Sequence, residues 1–235
     1  MRKLSKVVVH DSWQEIIDEA LASIDAKYLD DLLKSDFFPK NFLSPFSTLS
    51  LKNTKYILFG QDPYPREASA TGYAFIDGAV KSLWSERGLS KEVNSATSLR
   101  NFMKMLLHLD NYEIEQKEIA KLDKSDFIEG IFELRDNFEK NGVLLLNIVP
   151  IFTTKVDSTK KRHLKYWREF LKIVLNRVKD NDIELILFGN WAKDEINRLN
   201  LNYQTHEFEH PYNISFIKNE RVKELFSPMK LLYKN

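Results

Sequence analysis

The stretch Tyr56-Ile57-Leu58-Phe59-Gly60-Gln61-Asp62-Pro63-Tyr64-Pro65 decides how the rest of the chain is read. Four apolar residues, with aromatic and β-branched members and a glycine at the end, have the build of a short strand buried on both faces. The segment after it is stiff, because each proline fixes its own φ, and Asp62 places a carboxylate at the strand end. Two further runs have the same build: Val143–Leu146, ending at Asn147, and Leu185–Phe188, ending at Gly189. A weaker fourth strand is predicted over Tyr203–Phe208. Stretches with helical spacing, such as Leu99–Leu109 and Trp167–Val178, lie between them. Strands alternating with helices make a parallel sheet with crossover helices. The predicted fold is α/β, a three-layer sandwich with a central, mostly parallel four-stranded sheet flanked by helices. The length fits a single domain over residues 1–235.

Composition narrows the function classes. Hydrophobic residues make up 43% of the 235, including 16 Phe, enough to bury one core and to set disorder aside. The net charge of +1 announces no nucleic-acid binder by itself, so DNA contact would need a local patch, backbone N–H groups or helix N-termini. With no cysteine there is neither a disulfide framework nor a thiolate-held zinc or iron–sulfur cluster, which fits a reducing cytoplasm. The Val7–Val9 run falls far short of a signal-peptide core or a membrane span. No Gly-rich phosphate loop is present. The charged segment 111–127 reads as a solvated insertion or an exposed helix.

In an open parallel sheet, ligands bind beyond the carboxyl ends of the strands. That rule selects Gly60–Tyr64, Asn147–Pro150, Gly189–Trp191 and His210–Ser215. Taken singly, Asp62 before a proline is as readily a turn residue, Asn147 a strand cap and His210 a packing histidine. The four segments together point to a site.

Gly60-Gln61-Asp62-Pro63-Tyr64 after a hydrophobic strand resembles the signature of the family-one uracil-DNA glycosylases. Thr71-Gly72-Tyr73-Ala74-Phe75 resembles that family's segment whose aromatic ring stacks on the expelled base. Asn141–Asn147 resembles the strand that ends in the uracil-reading Asn, Phe188–Ala192 the segment before the last strand, and His210-Pro211 the catalytic His-Pro. The resemblance covers about residues 40–230 and implies an enzyme that flips uracil out of DNA and hydrolyses its N-glycosidic bond without metal or cofactor. It also implies a monomer, with uracil-containing DNA and a proteinaceous uracil-glycosylase inhibitor as partners.

The residues suit that chemistry. The Asn147 amide offers a donor and an acceptor side by side, matching O4 and N3–H of uracil, whereas cytosine presents the inverted pattern. Phe75 supplies a stacking face. By resemblance, Tyr64 packs against C5 and excludes the thymine methyl, Asp62 stabilises the oxocarbenium-like sugar and positions water, and His210 donates as a neutral ring to O2. The Gln61 N–H adds to the same oxyanion site. Extruding a base needs phosphate clamps and a wedge. Ser98, at the start of the Leu99–Leu109 helix, together with Asn190 and Ser215, are the clamp candidates, and Ile214 is the wedge. Lys160, Lys161 and Arg162 form a basic run that could meet DNA.

The chain departs from the family pattern at three places. Pro65 follows Tyr64 where a His is usual, Asn94–Ser98 replaces a Pro-Ser-rich clamp, and His210-Pro211-Tyr212-Asn213-Ile214-Ser215 replaces the usual His-Pro-Ser-Pro-Leu-Ser. Two competing readings are a DNA-binding accessory protein on the same fold and a glycosylase of another branch acting on deaminated purines. Asp62, Asn147 and His210 together disfavour the first, and Asn147 with Tyr64 the second.

Overall fold

The computed structural model describes residues 8–234, apart from the side chains of residues 157 and 158. Val7, and with it the start of the Val7–Val9 run, lies outside the described residues. The strands are β1 (Tyr56–Gly60), β2 (Trp84–Ser85), β3 (Gly88–Leu89), β4 (Val143–Asn147), β5 (Glu184–Phe188) and β6 (Thr205–Phe208). The main sheet has the order β4-β1-β5-β6, and every neighbour in it is parallel. All four strands expected from the sequence form, the last two residues later than Tyr203. The short β2/β3 hairpin was not anticipated, since two-residue strands leave no periodicity to read.

Strict alternation divides β1, β4 and β5 between two cores. Ile57 and Phe59, Leu144 and Leu146, and Leu185 and Leu187 face one layer, with the helices Asp11–Ala22, Asp157–Val178 and Gly189–Asn197. Leu58, Val143 and Leu145, and Ile186 and Phe188 face the other, with the helices Thr97–Leu109, Ile131–Lys140 and Glu220–Phe226. A strand buried on both faces has no polar side, which is why these runs read as continuously apolar. Each large aliphatic side chain so buried contributes about 1.5–3 kcal/mol. Among the described residues, no helix is long and apolar enough to cross a membrane. The charged segment 111–127 contains a short helix, Gln116–Lys121, docked through buried Ile119 and tied to the hairpin by Gln116 Nε2 donating to the Leu89 carbonyl (2.9 Å).

The first core holds a buried polar chain. The Tyr28 hydroxyl accepts from Trp167 Nε1 (3.0 Å) and lies 2.7 Å from His163 Nδ1, while His163 Nε2 lies 2.9 Å from Thr153 Oγ1. Since the Tyr28 oxygen already accepts, its own proton is best placed on Nδ1, leaving Nε2 as the donor to Thr153. A second ring proton would then face a hydroxyl that is already donating. Burial and the Arg162 charge lower the His163 pKa to about 4.

Unfolding returns His163 to its ordinary value of about 6.5, so the unfolded chain binds more protons between pH 6.5 and 4. The stability that neutral His163 contributes is therefore complete above pH 6.5 and is lost as pH falls towards 4. The urea midpoint of the wild type should drop across this window. His163→Gln should be weaker at pH 8 by about 1–3 kcal/mol, yet show a shallower drop. Parallel pH profiles for the two proteins would refute the assignment.

Candidate active site

The carboxyl ends of the strands converge as the sheet rule requires. Gly60 pairs in register with Asn147, and the approach is so close that a Cβ on Gly60 would lie 2.4 Å from Asn147 Oδ1 and 3.0 Å from Ala74 Cβ. The loop after β1 is fastened to the loop after β4, with Ile148 N donating to Gly60 O (2.9 Å) and Val149 N to Gln61 O (3.0 Å). Asn147 is 5% exposed. Its amide makes no side-chain hydrogen bond among the described residues, so its donor and acceptor remain available.

Two cavities adjoin at Gln61 beside this point, and Asn147 itself is not among the residues that line either of them. One, of about 250 Å³, is lined by Gly60, Gln61, Phe75, Asn190, Trp191 and His210, among others. The second, of about 300 Å³, is lined by Gln61, Asp62, Phe152, Lys160, Lys161 and Trp191, among others. Gln61 and Trp191 belong to both, while Asp62 lines the second cavity and His210 the first.

Phe75 holds its place against a backbone cost. Its φ of 68° is left-handed, which a bulky residue adopts only when its surroundings impose it, at about 1–3 kcal/mol. Thr71 Oγ1 donates to Ile76 O (2.9 Å), Asn41 Nδ2 to Thr71 O (3.0 Å), and Ala74 N to Leu145 O (3.2 Å). The Phe75 ring meets Phe102 edge-on at 4.8 Å. These contacts leave a fixed aromatic face on the first cavity.

The His210 ring declares its tautomer. Nδ1 accepts the Tyr212 N–H at 3.1 Å, so in the neutral ring the proton is on Nε2. Desolvation lowers the pKa below the ordinary histidine value, which favours that neutral form. Gly189 lies beneath it with φ 79°, and a Cβ there would stand 3.2 Å from His210 Cβ.

The Asp62 carboxyl is pushed above its usual range by burial, and Lys160 pulls it partly back. Lys160 Nζ stands 3.5 Å from Asp62 Oδ2. The basic run thus divides three ways. Lys160 pairs with Asp62, Lys161 lines the same cavity, and Arg162 pairs with Asp31 (2.9 Å).

Tyr64 falls elsewhere. It lines a separate cavity of about 430 Å³ with Arg66, Asp77, Lys91 and Ser95, and its hydroxyl pKa is raised by burial and by Asp77. Of the clamp candidates, Ser98 is in the first turn of the Thr97–Leu109 helix, whose N-cap, Ala96, makes no side-chain cap bond. Asn190 is exposed in the first turn of the Gly189–Asn197 helix. Ser215 already donates to Glu209. Ile214 and Tyr212 project from the same loop at 77% and 67% exposure.

One positioning residue escaped the sequence reading. Asn101 is buried, and its Nδ2 donates to the carbonyls of Pro211 (2.8 Å) and Tyr212 (3.2 Å), which fastens the His210 loop to the Thr97–Leu109 helix. The neighbouring Phe102 supports Phe75, so one helical turn braces both sides of the first cavity. The available signal was a lone amide one turn before Met105 on the buried face. Among the described residues, no cluster of three or more His, Asp or Glu is placed to hold a metal.

This geometry has counterparts among known proteins. A sequence model of the Uracil DNA glycosylase superfamily matches residues 46–235. A uracil-DNA glycosylase of Mesomycoplasma hyopneumoniae (strain 7448) is 30% identical over 196 residues, covering 82% of this chain and 74% of that protein. The crystal structure of UNG from Nitratifractor salsuginis superposes with a TM-score of 0.91 at 43% identity, over 97% of this chain and 94% of the other. A variant of mimivirus UNG in complex with UGI shares the fold alone, with a TM-score of 0.59 at 16% identity, over 87% and 70%. The family match extends from the helix before β1 to the end of the chain and takes in every strand-end loop described above; the chain belongs to the Uracil DNA glycosylase superfamily.

Proposed function

We propose that this protein hydrolyses the N-glycosidic bond of uracil in DNA, releasing uracil and leaving an abasic site. The observation that carries this reading is the pair of cavities joined over Gln61, with the Asp62 carboxylate in one and the Nε2–H of His210 on the other. As the C1′–N1 bond breaks, positive charge grows on the sugar and the bonding electrons pass to the base. An anion facing the sugar and a neutral donor facing O2 both bind the transition state better than the substrate. Water held by Asp62 adds to C1′ and gives up a proton to that carboxylate, which passes it to solvent, and the departing uracil anion takes up a proton from solvent. The Gln61 N–H assists at O2, Phe75 stacks on the base, and Asn147 reads N3–H and O4.

Tyr64 would exclude the thymine methyl only by closing toward the base from its neighbouring cavity, so its role is the least supported by geometry. The first turns carrying Ser98 and Asn190 offer N–H groups to phosphates. Ser215 would join them after releasing Glu209. Ile214 is the proposed wedge, its exposure giving it an apolar tip with no internal packing to lose. The protein is read as a cytoplasmic monomer acting on uracil-containing DNA. A proteinaceous inhibitor, like the UGI bound by the mimivirus neighbour, is a further partner.

Wild-type protein should release uracil from an oligonucleotide in the presence of EDTA, scored by alkaline cleavage at the abasic site. Asp62→Asn should lower the single-turnover rate by about two to three orders of magnitude with little change in DNA affinity. Equal loss of binding would make Asp62 structural. Asn147→Asp should release cytosine, read as cleavage of an oligonucleotide free of uracil; a variant active on uracil but inert on cytosine would remove Asn147 from base reading. Finally, Ile214→Ala should slow release from duplex DNA more than from single strands, because unstacking costs a few kcal/mol only where a stack exists. Equal proportional losses would leave Ile214 as loop packing and make Tyr212 the better candidate.

A further inference from the structure

Lys160 stands against the proposed catalytic carboxylate, and the proposed chemistry gives it nothing to do. Its Nζ is 3.5 Å from Asp62 Oδ2 and 5.9 Å from the centre of the Phe152 ring. The side chains are 38% and 28% exposed, so the pair is at the mouth of the cavity rather than sealed within it. Among the described residues, three titratable groups line this cavity beside Asp62: Lys160 and Lys161 from the Asp157–Val178 helix, and His163 from the same helix, whose ring is engaged by Tyr28 and Thr153. Lys160 is the one paired with Asp62.

An ammonium left on that carboxylate would oppose the reaction. Its charge would cancel part of the negative potential that the oxocarbenium-like sugar needs, and it would occupy space beside the carboxylate. The sugar that must face Asp62 also bears phosphate esters at C3′ and C5′, which arrive within range of a flexible four-carbon stem. A strongly hydrated point charge on such a stem is suited to changing partners.

We propose that Lys160 is a positioning residue that pairs with Asp62 when the site is empty and transfers to a phosphate flanking the flipped nucleotide when DNA binds. In the free protein it partly offsets the burial of the carboxylate. On binding it turns from a partner of Asp62 into a phosphate contact, and Asp62 is left unpaired only when the sugar is there to meet it. The inference rests on the uracil-excising reading of Asp62.

The test compares wild type, Lys160→Gln and Lys160→Arg on a single-stranded oligonucleotide carrying one uracil. Exchange of partners makes three results expected together for Lys160→Gln. The slope of log affinity against log salt becomes shallower by about 0.7, the value of one phosphate contact on single strands. The loss falls on KM, about two- to fivefold, rather than on kcat at pH 8. The acid limb of kcat/KM, which reports the free protein, moves to higher pH because Asp62 has lost the cation that offsets its burial. Lys160→Arg, which keeps the charge, should restore both the salt slope and the acid limb. An unchanged salt slope with a shifted acid limb would mean that Lys160 stays on Asp62 and would overturn the exchange. An unchanged acid limb would overturn the pairing. Wild-type protein that releases no uracil would instead overturn the reading of the site, so the two failures are distinguishable.

Discussion

The register between β1 and β4 is the constraint on which the site depends. It places Gly60 opposite Asn147 with no room for a Cβ between them, and the same approach seats Ala74 against Gly60. Hydrogen bonds from Ile148 and Val149 then continue the pairing past the strand ends, which directs the next residue, Asp62, into its cavity. A slip of one residue would exchange the two core faces of both strands, so the packing of Ile57, Leu58 and Phe59 enforces the register that the chemistry needs.

On this fixed base the charges are arranged by environment. The same physical term, desolvation, acts on Asp62 and on His210, yet it raises one pKa and lowers the other because it penalises whichever form is charged. For His210 that outcome favours the neutral ring, and the Tyr212 N–H, by occupying Nδ1, leaves the proton on Nε2. For Asp62 the outcome is adverse, and Lys160 offsets it.

The loops that depart from the family pattern are held by contacts of their own. Asn94 Nδ2 donates to the Leu89 and Ser90 carbonyls, and Arg100 Nη1 donates to Asn94 O, bracing the segment that replaces the Pro-Ser-rich clamp. The His210–Ser215 loop lacks the second proline of the family sequence. The Asn101 amide supplies its restraint, and the Ser215–Glu209 contact closes its far end.

The sequence by itself determined the sheet and the site's address. Three apolar runs stopped by Gly or Asn and a weaker fourth strand are local signals, and the rule that ligands meet the carboxyl ends of parallel strands turned these four strand ends into Asp62, Asn147, Gly189 and His210. Residue type and motif were also enough to suggest a neutral His donor and an aromatic face at Phe75. Only the tertiary structure decided which of these groups share a cavity. It put Tyr64 on a different cavity, left the Asn147 amide without a side-chain hydrogen bond among the described residues, paired Asp62 with Lys160, and made Asn101 the clamp of a loop 110 residues away. The physical reason is range. Periodicity and turn chemistry act over a few residues and are written in the local pattern, whereas an ion pair or an amide clamp depends on the relative placement of elements distant in sequence, which is fixed only when both cores have packed.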